Sequence, residues 1–93
     1  MTKYEMLYIL DASLTDEAKE SIIKKLEALV TENGGTVEST DRWGVKKLQY
    51  PINYKNEGYY VLMTFQAAKS LVVEIKRIAG ITDGIIRELI TKR

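Results

Sequence analysis

The residues best suited to chemistry lie between Trp43 and Asn53, in the stretch W-G-V-K-K-L-Q-Y-P-I-N. It carries an indole, two adjacent ammonium groups and a phenol. Lys46 and Lys47 could neutralise phosphates, and Trp43 and Tyr50 could offer ring faces to stacked bases. Gly44 stands where a strand interior should carry a side chain, which predicts a bulge or a close backbone approach. Pro51 cannot donate to a sheet ladder, so the strand should be ending at a sheet edge. Neighbouring residues of an extended chain project to opposite faces, so the two lysines charge an edge rather than a face. The competing reading is structural: edge lysines discourage strand-to-strand aggregation while the aromatics finish the core. On residue chemistry alone the structural reading outweighs nucleic-acid binding.

Catalysis finds little to work with. The chain has no histidine and no cysteine, which removes the commonest general base and metal ligand, the thiolate nucleophile and any disulfide framework. Small β-α-β-β-α-β domains that hydrolyse acyl phosphates need an anion cradle in the loop before a helix. Here the segment from Asp11 to Glu17 carries Asp11, Asp16 and Glu17 with no arginine and no glycine, a charge of the wrong sign. Neither a Ser-His-Asp set nor a glycine-rich loop occurs. The expectation is a non-enzyme with no catalytic residue, no cofactor, no metal and no small-molecule substrate. With no apolar run near twenty residues and no signal-peptide pattern after Met1, an intracellular soluble protein without a membrane partner is expected. A formal net charge of +1 gives no global attraction to RNA, so binding would depend on where charge is placed.

The elements that must position these groups read as follows. Lys3 to Leu10 is a strand apolar on both parities, hence central in a sheet. Thr15 caps a helix running to about Asn33, with Ala18, Ile22, Ile23, Leu26, Leu29 and Val30 inward. Lys19, Glu20, Lys24, Lys25 and Glu27 take its other side. Asn33-Gly34-Gly35 stops it. Thr36 to Tyr50 is a long strand bent near Gly44, Tyr54 to Gly58 a turn, and Tyr59 to Gln66 a third strand, again apolar on both parities. Ala68 to Ala79 is helical with Gly80 as its stop, and Asp83-Gly84 turns the chain into a last strand, Ile85 to Thr91.

The order β-α-β-β-α-β with right-handed crossovers predicts one domain over residues 1–93. Its class is α+β, a ferredoxin-like βαββαβ sandwich with a four-stranded antiparallel sheet and two helices on one face. The other face should expose some of Leu7, Ile9, Tyr60, Leu62 and Leu89, a candidate surface for a protein partner or stacked bases. Covering ~300 Å² of it would contribute about 7 kcal/mol before association costs. Shielding by long neighbours such as Arg87 and Lys46 is the plain alternative. A stand-alone RNA-recognition module shares the fold, but the third strand, G-Y-Y-V-L-M-T-F, lacks the basic residue and second glycine of that motif. A small-molecule-sensing dimer on the same fold is the remaining alternative.

The opening K-Y-E-M-L-Y-I-L, the stretch D-R-W-G-V-K-K-L-Q-Y-P-I-N and the closing D-G-I-I-R-E-L-I-T-K together resemble the bacterial small-subunit ribosomal protein S-six family. The resemblance spans essentially the whole chain. It implies a structural constituent of the ribosome, cytoplasmic, with this fold. It also implies binding to the central domain of small-subunit ribosomal RNA together with ribosomal protein S-eighteen. Carried over by position, Lys3 and Tyr4 match the family's basic-aromatic start. Arg42, Trp43, Lys46, Lys47 and Tyr50 match its central motif, and Arg87 and Lys92 match basic positions of the last strand. These nine would face RNA, and the open sheet face or the edge of the second strand would face the protein partner. The sequence departs from the family at Thr2, where many members carry arginine, and at Gln49, where a small residue is usual.

Overall fold

In the computed structural model, which describes residues 2–52 and 55–93 and the side chains outside residues 49–56, four strands and two helices follow the expected order. They are β1 (Thr2–Asp11), α1 (Asp16–Glu32), β2 (Thr36–Ile52), β3 (Lys55–Ala67), α2 (Lys69–Ile81) and β4 (Ile85–Lys92). The sheet is antiparallel in the order β2-β3-β1-β4, so the two doubly apolar strands are central and the basic stretch lies on an edge.

Strand parity divides the sheet's two faces. Tyr4, Met6, Tyr8 and Leu10 of β1 and Val61, Met63, Phe65 and Ala67 of β3 pack under Ile23, Leu26 and Val30 of α1 and Leu71, Ile75 and Ala79 of α2. This is the protein's core. The other parity faces away from the helices.

Local chemistry explains the element ends. The Thr15 hydroxyl accepts from the Ala18 amide at 3.1 Å, satisfying a donor that the first turn of α1 leaves free, and Asp16 and Glu17 sit favourably at the positive end of its dipole. Gly44 has φ +88, and the β2–β3 register shifts between Arg42 and Gly44. The left-handed backbone there is why a side-chain-free residue interrupts the strand.

Four expectations are corrected. Gly80 does not end α2, which continues to Ile81; a glycine without positive φ is only a weak helix former, not a stop. The strand β3 begins at Lys55 and pairs with Ile52, so the expected Tyr54–Gly58 turn is largely strand; Tyr54 itself lies outside the described residues. Lys19 is not on the solvent side of α1. It is buried, its ammonium 4.8 Å from the centre of the Tyr59 ring and 3.9 Å from Asp16. A long aliphatic stem can lie on apolar surface while its head finds a ring face. Ile9, expected to be exposed on the open face, is buried. Gly58 opposite β1 lets it close against Leu48, since both side chains crowd the position that a Gly58 Cβ would take.

Candidate nucleic-acid interface

Trp43 follows the helix-side Arg42 in β2 and so lies on the open face, beside the bulge at Gly44. There its ring lies parallel to Tyr60 of β3, 7° between planes and 6.4 Å between centres. The Lys46 ammonium stands 4.9 Å from the Trp43 ring centre, an attraction between the cation and the ring quadrupole. Trp43 remains 45% exposed, so the pair forms a usable aromatic surface rather than a core plug. Next to it Leu7, Ile9, Tyr60, Arg87, Glu88 and Leu89 line a shallow apolar depression of about 190 Å³. Leu89 is exposed, while Leu7, Tyr60 and Leu62 are half-buried. Arg87 and Lys46 have no carboxylate partner among the described residues.

The opposite end of the open face is polar and internally paired. Lys3 meets Glu38 at 2.9 Å, Gln66 donates to the same carboxylate at 2.6 Å, and Arg93 meets Glu5 at 2.6 Å. The Gln66 amide and then Lys3 hold the Glu38 carboxyl below its ordinary value. Sequence reading missed Glu38, Gln66, Glu5 and Arg93, because these contacts join β1, β2, β3 and the end of β4 without any local motif.

The expected site residues therefore separate into groups. Trp43, Lys46 and Arg87 converge on the open face with the five apolar candidates, and Lys47 is exposed next along the same edge strand. Lys92 is exposed at the end of β4, beside Tyr4 in the ladder. The Tyr50 side chain lies outside the described residues. Two placements are corrections. Tyr4 is a core residue on the helix side, 8% exposed and stacked on Phe65 at 5.8 Å, so its ring cannot receive a base. Arg42 also turns to the helix side, where its guanidinium donates to both Glu20 oxygens at 2.8 Å. That fork pins β2 to α1, holds the Glu20 carboxyl below its usual range and raises the guanidinium. Thr40 adds a second tie, donating to Glu27 at 2.6 Å.

Buried behind these ties, the Tyr8 hydroxyl finds no hydrogen-bond partner among the described residues. Burial, and next the neighbouring Glu27 carboxylate, push its ionisation well above the ordinary phenol value. No group of three or more carboxylates capable of holding a metal occurs among the described residues. No helix among them is long and apolar enough to cross a membrane.

The sequence and the fold both have known relatives. The family model described as Ribosomal protein S6 matches residues 3–92. The small ribosomal subunit protein bS6 of Clostridium novyi is 46% identical over 90 residues, covering 97% of this chain and 95% of its own. The protein of that name from Caldanaerobacter subterraneus is 41% identical over 92 residues, covering 99% and 97%. Among solved structures, the 30S ribosomal protein S6 of Thermotoga maritima superposes with a TM-score of 0.93 at 25% identity, covering 99% of this chain and 87% of that one. With one ferredoxin-like fold and whole-chain matches to these relatives, the chain belongs to the ribosomal protein S6 family.

Proposed function

We propose that this protein is a structural component of the small ribosomal subunit, where it binds the central domain of the subunit's RNA together with ribosomal protein S-eighteen. The observation that carries this reading is the match along nearly the entire chain to relatives named small ribosomal subunit protein. The surface supports it. A nearly neutral molecule has little long-range attraction for RNA, so the cations on this surface must act locally, with a basic partner contributing most phosphate contacts. Lys46, Lys47 and Arg87 neutralise phosphates at the β2 edge and the neighbouring face. Trp43 and Tyr60 provide the ring surface, and Leu7, Leu62 and Leu89 provide apolar area for the protein partner. Recognition is of shape, because contacts to phosphates carry no base information.

The test is a titration of a central-domain RNA fragment with and without S-eighteen, repeated over a range of salt. The partner should raise affinity strongly, and replacing Lys46 and Lys47 together by alanine should lower the log-log salt slope by about 1.4 to 1.8 while leaving the fold intact. Equal binding with and without the partner would instead indicate an independent RNA-recognition module. An unchanged slope in the double variant would remove the β2 edge from the interface.

A further inference from the structure

The sheet has two edges, and they are not alike. The β2 edge is interrupted by the bulge at Gly44, carries Lys46 and Lys47 and includes Pro51, all of which obstruct the addition of another strand. The β4 edge has no proline, glycine or register shift from Arg87 to Lys92. Its outward groups can be identified. The Arg93 amide donates to the Lys3 carbonyl at 2.9 Å, so the hydrogen-bonded pairs of the alternating ladder fall on Thr91, Leu89 and Arg87. The amides and carbonyls of Glu88, Ile90 and Lys92 therefore point away from β1, at an edge that no strand covers among the described residues. The side chains of these same three residues lie on the helix side, opposite Tyr8, Met6 and Tyr4 of the core. One Glu88 carboxylate oxygen is shut off from solvent without a hydrogen-bond partner among the described residues. Lys92, exposed near the strand's end, makes no ion pair among them. Val73 of α2 and Ile90 line a groove beside this edge, and Val73 and Leu89 are exposed.

We propose that the β4 edge joins two copies of this chain, antiparallel about a twofold axis that passes beside Ile90. A twofold perpendicular to the sheet keeps the helices of both copies on one side, so residues facing each other across the junction must share a parity. Charge then selects the register. Centring the pair on Glu88 would oppose two carboxylates, and centring it on Lys92 would oppose two ammonium groups. Centres at Leu89 or Thr91 set an ionised side chain against Ile90 instead. Centred on Ile90, Glu88 stands opposite the partner's Lys92, and by symmetry Lys92 stands opposite the partner's Glu88. The same register brings the outward backbone groups of Glu88, Ile90 and Lys92 face to face with their counterparts, giving about six hydrogen bonds between the copies. It supplies the shut-in carboxylate oxygen with a cation and brings together the two apolar flanks that carry Val73. Such a seam is narrow beside the ~1,000 Å² of a lasting complex, so the dimer forms with a dissociation constant on the order of 100 µM. The dimer belongs to the free protein and does not depend on RNA binding.

Sedimentation equilibrium at protein concentrations up to about 1 mM reads the association directly. The wild type should show a monomer–dimer equilibrium. Glu88→Lys and Lys92→Glu should each weaken it about tenfold or more, because each opposes like charges at two symmetry-related places. The double variant Glu88→Lys, Lys92→Glu should return it to near the wild-type value, since the exchange restores both pairs. Thermal unfolding of each variant separates a lost contact from a lost fold. Amide hydrogen exchange on the wild type needs no substitution. As concentration rises, Glu88, Ile90 and Lys92 should gain protection, whereas Arg87, Leu89 and Thr91, already bonded to β1, should not change. A wild type that stays monomeric overturns the dimer, as do single variants that associate unchanged or a double variant that does not recover. Protection confined to β2 would put the contact on the other edge and refute this one. Should the protein alone stay monomeric while the protein partner of the proposed function protects the β4 amides, the edge receives a different chain's strand and self-association is refuted.

Discussion

Replacing Gly58 by alanine should destabilise the protein, although in most strands the exchange would help. An interior strand glycine is weaker than alanine by roughly 0.5–1 kcal/mol because of the freedom it loses on folding. The backbone at Gly58 has no positive φ to forbid a side chain. Space decides the sign. An added Cβ would sit closer to Ile9 Cγ2 than real Cβ contacts come, 3.3 Å from Leu48 Cδ2 and 3.7 Å from the Leu10 carbonyl oxygen. The Leu48 methyl can rotate away, but Cγ2 belongs to a β-branched side chain with little freedom about χ1. Overpacking of this kind costs about 1–3 kcal/mol, which exceeds the entropic gain and leaves a net loss of ~1–2 kcal/mol. Urea unfolding of the wild type, Gly58→Ala, Ile9→Ala and the double variant measures it as a cycle. In the Ile9→Ala background the obstacle is gone, so adding alanine at 58 should become neutral or favourable. A neutral Gly58→Ala in the wild type, or an equal cost in both backgrounds, would refute the reasoning that Ile9 is buried because position 58 is empty.

Other substitutions probe the interior and the helix ties. Tyr8→Phe removes a buried hydroxyl that has no partner among the described residues and should raise stability by ~1 kcal/mol in the same assay; a loss of that size would show the group to be satisfied in solution. Because the folded-state ionisation of Tyr8 is raised, its contribution is complete below the ordinary phenol value and is lost as pH climbs beyond it, so Tyr8→Phe should also blunt alkaline unfolding. Thr15→Ala leaves the Ala18 amide without its acceptor and should cost ~1 kcal/mol in urea, against little change for Thr15→Ser. Glu20 is depressed by Arg42, so its contribution is present above the unfolded carboxyl value and disappears as pH falls through the folded one; Arg42→Gln should flatten that acid-side loss, and parallel pH profiles for the two proteins would contradict it.

Much of the architecture was legible in the sequence because the signals were redundant. Apolar residues on both parities of the first and third strands marked them as central, and Pro51 independently placed the second at an edge. The Thr15 cap, the Gly44 bulge and the Asp83-Gly84 turn each followed from a single residue's backbone or hydrogen-bonding preference. The same double apolarity hid the inward face. With Tyr4, Met6, Leu7, Tyr8 and Ile9 all plausible core residues, parity could say which share a face but not how deeply each is buried. Ile9 is buried on the open face by a glycine two strands' worth of sequence away, and Tyr4 falls in the core despite its basic neighbour. Arg42 resisted for a related reason: a cation beside Trp43 looks like part of the same basic cluster, yet strand alternation sends the two side chains to opposite sides. The candidate site was thus readable as composition and unreadable as grouping, because grouping depends on register shifts and on contacts between distant segments.

The pairing of Glu38 and Glu5 with Lys3, Gln66 and Arg93 gives the bare sheet face a direction. Glu38 and Glu5 are engaged at one end, while Lys46 and Arg87 gather with Trp43 at the other. A molecule close to electrical balance as a whole is therefore lopsided on this side. Anything acidic or aromatic that lies down on it meets attraction at only one end, and reversing it end for end would set it against groups already engaged with each other. Near-neutrality here conceals an orientation signal, one that needs no base-specific contact to fix which way round a neighbour must sit.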